Sequence, residues 1–274
     1  MKYSAVSQPA FDIGLVAHLE AAHAWAVHNY VSSLQEQRPE LHPEAISVGG
    51  GQAFYAGSSP FSFAVGLGLT QPVTPADVDL VERFYRKHRV PAKIDITPAT
   101  HPLLSELTET RGYRVADLTT VLVLDLESAR VPQPLTNIFL RWARPEDCDV
   151  WVDTVARNFF VIEPGEDRRR SIACVFHAPH ALNVIALVDQ QVAGVAGCMI
   201  PHRGGTAVIY ASCTQPEFRR LGVHREMLRL RISTARAAGC STMVATALPG
   251  SDSERNLVRS GFEICYVKTS WVKQ

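Results

Sequence analysis

The chain has 274 residues, enough for one large domain or two ordinary ones. Its hydrophobic fraction of 46% and charged fraction of 20% are typical of a soluble globular protein. Lys plus Arg and Asp plus Glu are equal at 27 each, which argues against a protein built to coat nucleic acid or an anionic membrane. We therefore expect neither a nucleic-acid partner nor a membrane partner.

Targeting signals and cysteine spacing point to a cytoplasmic protein. The first residues lack the basic leader and cleavage site of a secretory signal, and no apolar run approaches the roughly 18 residues that span a bilayer. The six cysteines are scattered through the second half, and no pair has the close spacing of a zinc or redox motif. We expect reduced thiols and no metal site.

The first half predicts a helix followed by strands and two further helices. Residues 9–37 have helical apolar spacing, and their histidines recur every five residues, so they do not share a face as metal ligands would. Residues 45–69 alternate like hairpin strands. Further elements are a helix at 74–87, a strand at 92–96, a helix at 101–111 and a strand at 114–126. Residues 127–136, with two prolines, read as a linker.

The second half predicts strands joined by short turns and then a helix–strand–helix–strand ending. Residues 138–143 form a strand, a helix follows to residue 160, and the polar residues 161–170 read as a loop. The later elements are strands at 181–188, 192–200 and 206–214, a helix at 222–238, a strand at 242–247, a helix at 251–260 and a strand at 263–272.

Both halves end alike, which suggests an internal repeat. Each closes with a helix, a strand, a helix, a Gly-aromatic pair and a long strand, and the pairs are Gly112-Tyr113 and Gly261-Phe262. We predict an α+β protein of two related domains, residues 1–130 and 136–274, each with a mixed, mainly antiparallel sheet flanked by helices.

The most informative segment is the loop between an apolar strand and the helix near residue 222. Its residues are Cys213, Thr214, Gln215, Pro216, Glu217, Phe218, Arg219, Arg220, Leu221, Gly222, Val223 and His224. Unpaired backbone N–H groups at a helix start favour an anion such as a phosphate, and Gly222 permits close approach. Residues 218–236 hold six arginines and one acid, although a solvated arginine face is the alternative.

This run resembles the acetyl-CoA signature of the GNAT N-acetyltransferase superfamily, Gln/Arg-x-x-Gly-x-Gly/Ala. Arg219, Gly222 and the Pro216-Glu217-Phe218 lead-in match, while His224 stands where Gly or Ala is usual. The resemblance continues through residues 249–256 to Gly261-Phe262 and covers about residues 138–271. It implies a GNAT fold for the second half and a degenerate GNAT-like domain for the first.

The resemblance implies acetyl-CoA as cosubstrate and assigns cofactor-binding residues. The backbone of Arg219, Arg220, Leu221, Gly222, Val223 and His224 would bind the pyrophosphate. Cys213 and Thr214, at a splayed strand end, would pair with the pantetheine arm, and Arg255 and Asn256 would touch the cofactor from the next helix, although a surface role for Asn256 is the alternative. The equivalent loop of the first half, residues 67–75, has two prolines and no arginine, so we expect it to bind no cofactor.

Acid and base residues are harder to assign. The position where many family members have a tyrosine general acid is Leu257 here, so Tyr266 and Tyr210 are the catalytic candidates, with strand packing as the alternative. Possible proton acceptors are the loop residues Glu163, His177, His180 and His202.

The expected activity is acetyl transfer to a small-molecule or peptide amine by direct attack in a ternary complex. The alternatives are a non-catalytic acyl-CoA-binding or sensing protein and a donor longer than acetyl. The identity of the amine and the oligomeric state stay open at this point.

Overall fold

The computed structural model describes residues 12–57, 60–131 and 133–274. The helices are α1 Ile13–Gln37, α2 Pro75–Lys87, α3 Pro102–Thr110, α4 Cys148–Phe159, α5 Glu166–Phe176, α6 Val223–Ala237 and α7 Asp252–Arg259. The strands are β1 Glu44–Val48, β2 Gly51–Tyr55, β3 Ala64–Val65, β4 Lys93–Ile96, β5 Tyr113–Asp125, β6 Phe139–Trp142, β7 Ala181–Val188, β8 Gln191–Met199, β9 Gly205–Thr214, β10 Cys240–Ala247 and β11 Glu263–Lys273.

All eleven strands form one sheet, in the order β1-β2-β3-β4-β11-β5-β10-β9-β8-β7-β6. Most neighbours are antiparallel, but β3 with β4 and β9 with β10 run parallel. The last strand of each half is exchanged: β5 pairs with β10, and β11 pairs with β4, while β5 and β11 pair with each other. Each half therefore completes its sheet with a strand of the other.

Helices cover both faces of the sheet, and alternating strand residues show which helix faces which side. Ala53 and Ile94 pack with α2, whereas Phe54 of the same strand as Ala53 packs with α1. In the second half, Met243 and Ala245 pack with α6, and Val244 between them packs with α1. Because strand side chains alternate, α1 lies on the face opposite α2 and α6.

The face that meets α1 buries a run of polar residues on β11. Tyr266, Lys268 and Ser270 have a spacing of two, so they point to the same side, and each is at most 6% exposed. Lys268 Nζ lies 3.0 Å from Glu20 Oε2 of α1 and 3.2 Å from Asp95 Oδ2 of β4. This ion-pair cluster joins both halves, because a buried charge needs partners that replace its lost hydration.

The predicted α+β class and tandem organisation are confirmed, and most predicted elements are present within a few residues of their expected ends. The helix predicted from residue 9 begins at Ile13, capped by the Asp12 side chain, and residues 9–11 lie outside the described residues. The helix predicted at 74 begins with a capping box of Thr74 and Asp77. The division at residues 130 and 136 stays a prediction.

The loop prediction for residues 161–170 is wrong at its C-terminal end, because α5 begins at Glu166. Glu166 and Asp167 occupy its first turn, where negatively charged side chains interact favourably with the positive end of the helix dipole. The polar residues that suggested a loop lie on its outer side, while Ser171, Cys174 and Phe176 are buried. Arg38 at the end of α1 also holds Asp167, at 2.6 Å, which local sequence does not reveal.

The linker is fixed against α6. Arg236 donates hydrogen bonds to the carbonyls of Leu126 and Ala129, and Arg225 donates one to the carbonyl of Gln133 at 3.1 Å. Leu135 packs against the apolar cluster around Val223. No helix in the described part of the chain is long and apolar enough to cross a membrane.

The strand exchange predicts that the second half will not fold stably alone. A fragment of residues 136–274 keeps β10 and β11 but lacks β5, which pairs with both. We expect it to have a much lower free energy of unfolding than the full chain, measured by circular dichroism in urea.

The matched control is the full chain with a protease site inserted after Arg130 and then cleaved. It loses the same covalent connection but keeps β5, so it should still unfold cooperatively near the midpoint of the intact chain. A fragment with the full chain's unfolding midpoint would contradict the prediction.

Candidate functional site

The site begins where two parallel strands separate. β9 and β10 pair from Gly205 with Cys240 to Val208 with Val244. Beyond this point β9 pairs only with β8, and β10 pairs only with β5. The backbone edges that face the gap are therefore free of sheet partners, and a gap at the carboxyl ends of parallel strands is a common ligand site in α/β sheets.

A cavity of about 320 Å³ passes through the gap and reaches both faces of the sheet. On the α6 side it is lined by Ile209, His224 and Leu257, and on the α1 side by Glu20 and His23. Two ligands could therefore approach the same gap from opposite faces. An adjoining cavity of about 190 Å³ on the α1 side is lined mainly by aromatic and aliphatic side chains.

A bulge in β9 gives the gap its shape. The pairing with β8 shifts between Val195 and Gly197, and Ala211 adopts a left-handed conformation with φ of 50°. Arg231 of α6 holds both sides of the bulge: Nη1 donates to the Gly197 carbonyl at 3.2 Å and to Ser212 Oγ at 2.8 Å. Arg231 is fully buried, and burial lowers its pKa to about 10.

The loop after β9 presents free backbone donors. The N–H groups of residues 220–225 have no acceptor among the residues that the structure describes. Those at residues 223–225 belong to the first turn of α6, where no preceding carbonyl is available. Together with the helix dipole, they form a site that suits a phosphate group.

Gly222 makes this loop possible. It is the N-cap of α6 and has a φ of 91°, a conformation that side chains rarely adopt. A Cβ there would lie 2.6 Å from Leu135 Cδ1 of the linker. Arg220 is also left-handed, with φ of 67°, and with Leu221 it lies exposed on the loop.

Most of the six arginines predicted to form a basic patch have partners elsewhere in the fold. Arg231 is buried, Arg229 pairs with the buried Glu226 at 2.8 Å, and Arg225 and Arg236 bind linker carbonyls. Arg219, Arg220 and Arg225 are exposed beside the free amides, and of these Arg225 is held by the linker carbonyl of Gln133. The sequence could not separate these roles because one helix presents its arginines to the core, the linker and solvent in turn.

The other predicted cofactor residues occupy mixed positions. Thr214 ends β9, and Cys213 is buried with its pKa raised to about 12 by burial, so it stays a thiol. Val223 is buried in the core under the loop. His224 is half-buried in the cavity wall, and burial and then Arg231 lower its pKa to about 4, which keeps it neutral.

On α7, the cavity wall is formed by Ser253 and Leu257 rather than by the two predicted residues. Arg255 binds its own helix start, through the Gly250 carbonyl and Asp252 at 2.6 Å. Asn256 lies beside Arg259 at 3.5 Å. Ser253 was not predicted, although its place one turn before Leu257 on an amphipathic helix could have indicated it.

The two candidate tyrosines differ in position. Tyr210 lines both cavities, and its hydroxyl donates to Asn183 Oδ1 at 3.2 Å. Tyr266 is buried outside the cavity wall, and its hydroxyl donates to Glu20 Oε1 at 2.7 Å. Burial raises the pKa of both, so both remain protonated.

Sequence reasoning missed the ionisable residues that α1 contributes. Glu20 and His23 line the cavity, whereas the predicted proton acceptors Glu163, His177, His180 and His202 do not. Glu20 is 1% exposed, which only the packing of α1 on the second half could reveal. A glutamate among the apolar residues of a helix is a weak signal, because it could equally face solvent.

Comparison with known proteins supports this geometry. The model of the Acetyltransferase (GNAT) family matches residues 148–262. This segment contains β9, the free amides, α6, the gap and α7. The sequence motif predicted a GNAT domain, and the family match locates one at residues 148–262. Among curated proteins, none matches the chain significantly in sequence.

Solved structures resemble the whole chain. A GCN5-related N-acetyltransferase from Kribbella flavida has a TM-score of 0.62 at 14% identity, covering 90% of this chain and 95% of its own. A tandem GNAT protein from the clavulanic acid biosynthesis pathway has a TM-score of 0.61 at 16% identity, covering 98% and 96%. A protein of unknown function from Staphylococcus epidermidis has a TM-score of 0.61 at 11% identity, covering 85% and 94%. At such identities the likeness establishes the tandem GNAT fold.

The conformation of Gly222 gives a stability prediction. Gly222→Ala should lower the free energy of unfolding by about 1–3 kcal/mol, because the left-handed backbone becomes strained and Leu135 must move. Urea denaturation followed by circular dichroism measures this.

Gly112→Ala is the matched control. Gly112 has a similar φ of 79°, but a Cβ there meets no atom within 4 Å. Gly112→Ala should lower the free energy of unfolding by about 1 kcal/mol, from backbone strain alone. Equal or smaller losses at Gly222 would show that the loop is not constrained by the linker.

Proposed function

We propose that the chain transfers an acetyl group from acetyl-CoA to a primary amine, by direct attack of the amine on the thioester in a ternary complex. The observation that carries the proposal is the cavity through the gap between β9 and β10, because it is open to both faces of the sheet. Two substrates can then meet without a covalent enzyme intermediate.

The α6 side suits the donor. The free amides of residues 220–225 would bind the pyrophosphate, and the exposed Arg219 and Arg220 add positive charge beside it. The unpaired backbone edge of β9, which ends at Cys213 and Thr214, would accept the amides of the pantetheine arm. Bound acetyl-CoA supplies the reactive thioester; the chain supplies position and charge.

Direct attack of an amine on the thioester needs little catalysis by side chains. The amine nitrogen forms a bond to the acetyl carbon as the carbon–sulfur bond breaks, one amine proton goes to the leaving sulfur, and positioning supplies much of the rate. No cysteine thiolate is available at the gap, since burial keeps Cys213 protonated. Of the two predicted tyrosines only Tyr210 lines the cavity, and its hydroxyl would have to leave Asn183 Oδ1 to donate a proton to the sulfur.

A second candidate is a non-catalytic acyl-CoA-binding or sensing protein. Two observations favour it: Leu257, with no proton to donate, occupies the cavity wall, and the His224 ring stands in the same wall. Binding alone does not separate the two functions, so turnover must be measured as well. Acyl groups longer than acetyl belong to the same test.

Titration calorimetry of acetyl-CoA and CoA into the wild type and Gly222→Glu tests the cofactor site. We expect the wild type to bind both, and Gly222→Glu to lose binding, because it places bulk and negative charge at the free amides. Gly112→Glu, at the exposed glycine of the first half, controls for the substitution itself and should bind like the wild type.

Turnover is then measured by chromatography of CoA released with a panel of primary amines and with acetyl-, propionyl- and butyryl-CoA. Release that depends on an amine supports the transferase; binding without release supports the sensing protein. A correctly folded wild type that binds no acetyl-CoA would refute both.

A further inference from the structure

The first half of the chain places an acidic group in the cavity that the second half forms. Glu20 of α1 lies on the face of the sheet opposite α6 and α7, and it lines the cavity together with His23. The donor would approach from the α6 side, so these two residues lie where the acceptor must enter. This step rests on the proposed function.

Hydrogen bonds hold the Glu20 carboxylate in place but do not occupy all of its acceptor positions. Oε1 accepts hydrogen bonds from Tyr266 at 2.7 Å and Lys268 at 3.2 Å, and Oε2 accepts one from Lys268 at 3.0 Å. A carboxylate has about four acceptor positions, which leaves room for another donor. Lys268 also pairs with Asp95, so its single positive charge is divided between two carboxylates.

The ionisable groups around Glu20 do not replace it as a proton acceptor. Burial and then Lys268 lower the pKa of His23 to about 3, so it is neutral, and its Nδ1 accepts a hydrogen bond from Lys268 at 3.0 Å. Burial opposes the charge of Lys268, but Glu20 and Asp95 outweigh it and raise its pKa. Tyr266 on β11 donates to the carboxylate, and His224 lines the same cavity across the gap. His28 and Asp77 line a neighbouring cavity that Glu20 also lines.

One route from Glu20 to the surface is mainly apolar, although Arg168 and Ser171 also line it. Glu20 lines a second cavity as well, which is more polar. Phe61, Phe159 and Val175 line both the central cavity and the adjoining one, which continues past Tyr30 and Trp151. Phe159 is 56% exposed at the end of α4, next to the exposed Val161 and Ile162. Such a passage favours an apolar, flat body over a hydrated polyamine or a sugar.

We propose that the acceptor is a primary amine on an aromatic or other apolar body, and that Glu20 binds its ammonium group and removes the proton that blocks attack. The carboxylate takes one proton from the ammonium, which frees the nitrogen lone pair. The neutral amine then attacks the acetyl carbon, and its second proton goes to the leaving sulfur. The proton on Glu20 returns to solvent after product release, so one acetylated amine, one thiol and one proton are formed.

2-Phenylethylamine is the probe, and Glu20→Gln is the test variant. Glutamine keeps the size and can still accept from Tyr266 and Lys268, but it has no charge and does not take up a proton. With acetyl-CoA, kcat/KM should fall at least 100-fold at pH 7. The variant should recover as the pH rises, about tenfold per unit below the pKa of the free amine, because unprotonated substrate no longer needs a base.

Asp95→Asn is the matched control. It removes one carboxylate from the same ion-pair cluster, but Asp95 does not line the central cavity. It should lose stability like Glu20→Gln, show a smaller loss of kcat/KM and keep the pH profile of the wild type. Equal losses and equal profiles in the two variants would show that the cluster is only structural, and would overturn the role of Glu20.

Two further measurements separate this proposal from the cofactor site. Calorimetry of acetyl-CoA should give the same affinity for the wild type and Glu20→Gln; a wild type that binds no acetyl-CoA would remove the proposed function itself. Ethylamine should be acetylated at least tenfold less efficiently than 2-phenylethylamine. A wild type that binds acetyl-CoA but prefers ethylamine, or leaves both amines unchanged, would overturn the acceptor class alone.

Discussion

The parting of β9 from β10 after Val208 and Val244 is the constraint on which the rest of the site depends. A sheet that stayed paired along these strands would satisfy its own backbone groups and leave no passage between its faces. The bulge at Ala211 and the buried Arg231 that braces it keep the strands apart, with hydrogen bonds to Gly197 and Ser212. Arg231 is costly to bury, and these bonds offset part of that cost.

The gap divides the site between the two halves of the chain. The second half provides the loop, the free amides and the strand edges on the α6 side, whereas α1 of the first half closes the opposite side. The exchange of β5 and β11 fixes this arrangement, because neither half can move away without breaking strand pairing. The first half therefore contributes residues to the cavity that the second half forms.

The ion-pair cluster of Glu20, Asp95 and Lys268 affects both the packing of the two halves and the composition of the site. It ties α1 to the exchanged strand β11 and to β4 across the boundary between the halves. Such clusters contribute little net stability, since the ion-pair energy barely exceeds the desolvation cost. Its effect on the site is to hold one carboxylate, in one orientation, at the wall of the central cavity.

The sequence by itself determined the α+β class, the tandem organisation and most elements, because these follow from apolar spacing and turn residues. Gly222 before a helix and the Pro216-Glu217-Phe218 lead-in carried the family resemblance. Only the tertiary structure decided which polar residues meet. Lys268 and Glu20 are 248 residues apart and look like solvent-facing charges in their own segments. In the sequence Arg231 resembles the other arginines of α6, and only the structure shows that it binds both sides of the bulge in β9. Burial and pairing of such groups depend on the strand exchange and on α1 crossing to the second half, which no local pattern encodes.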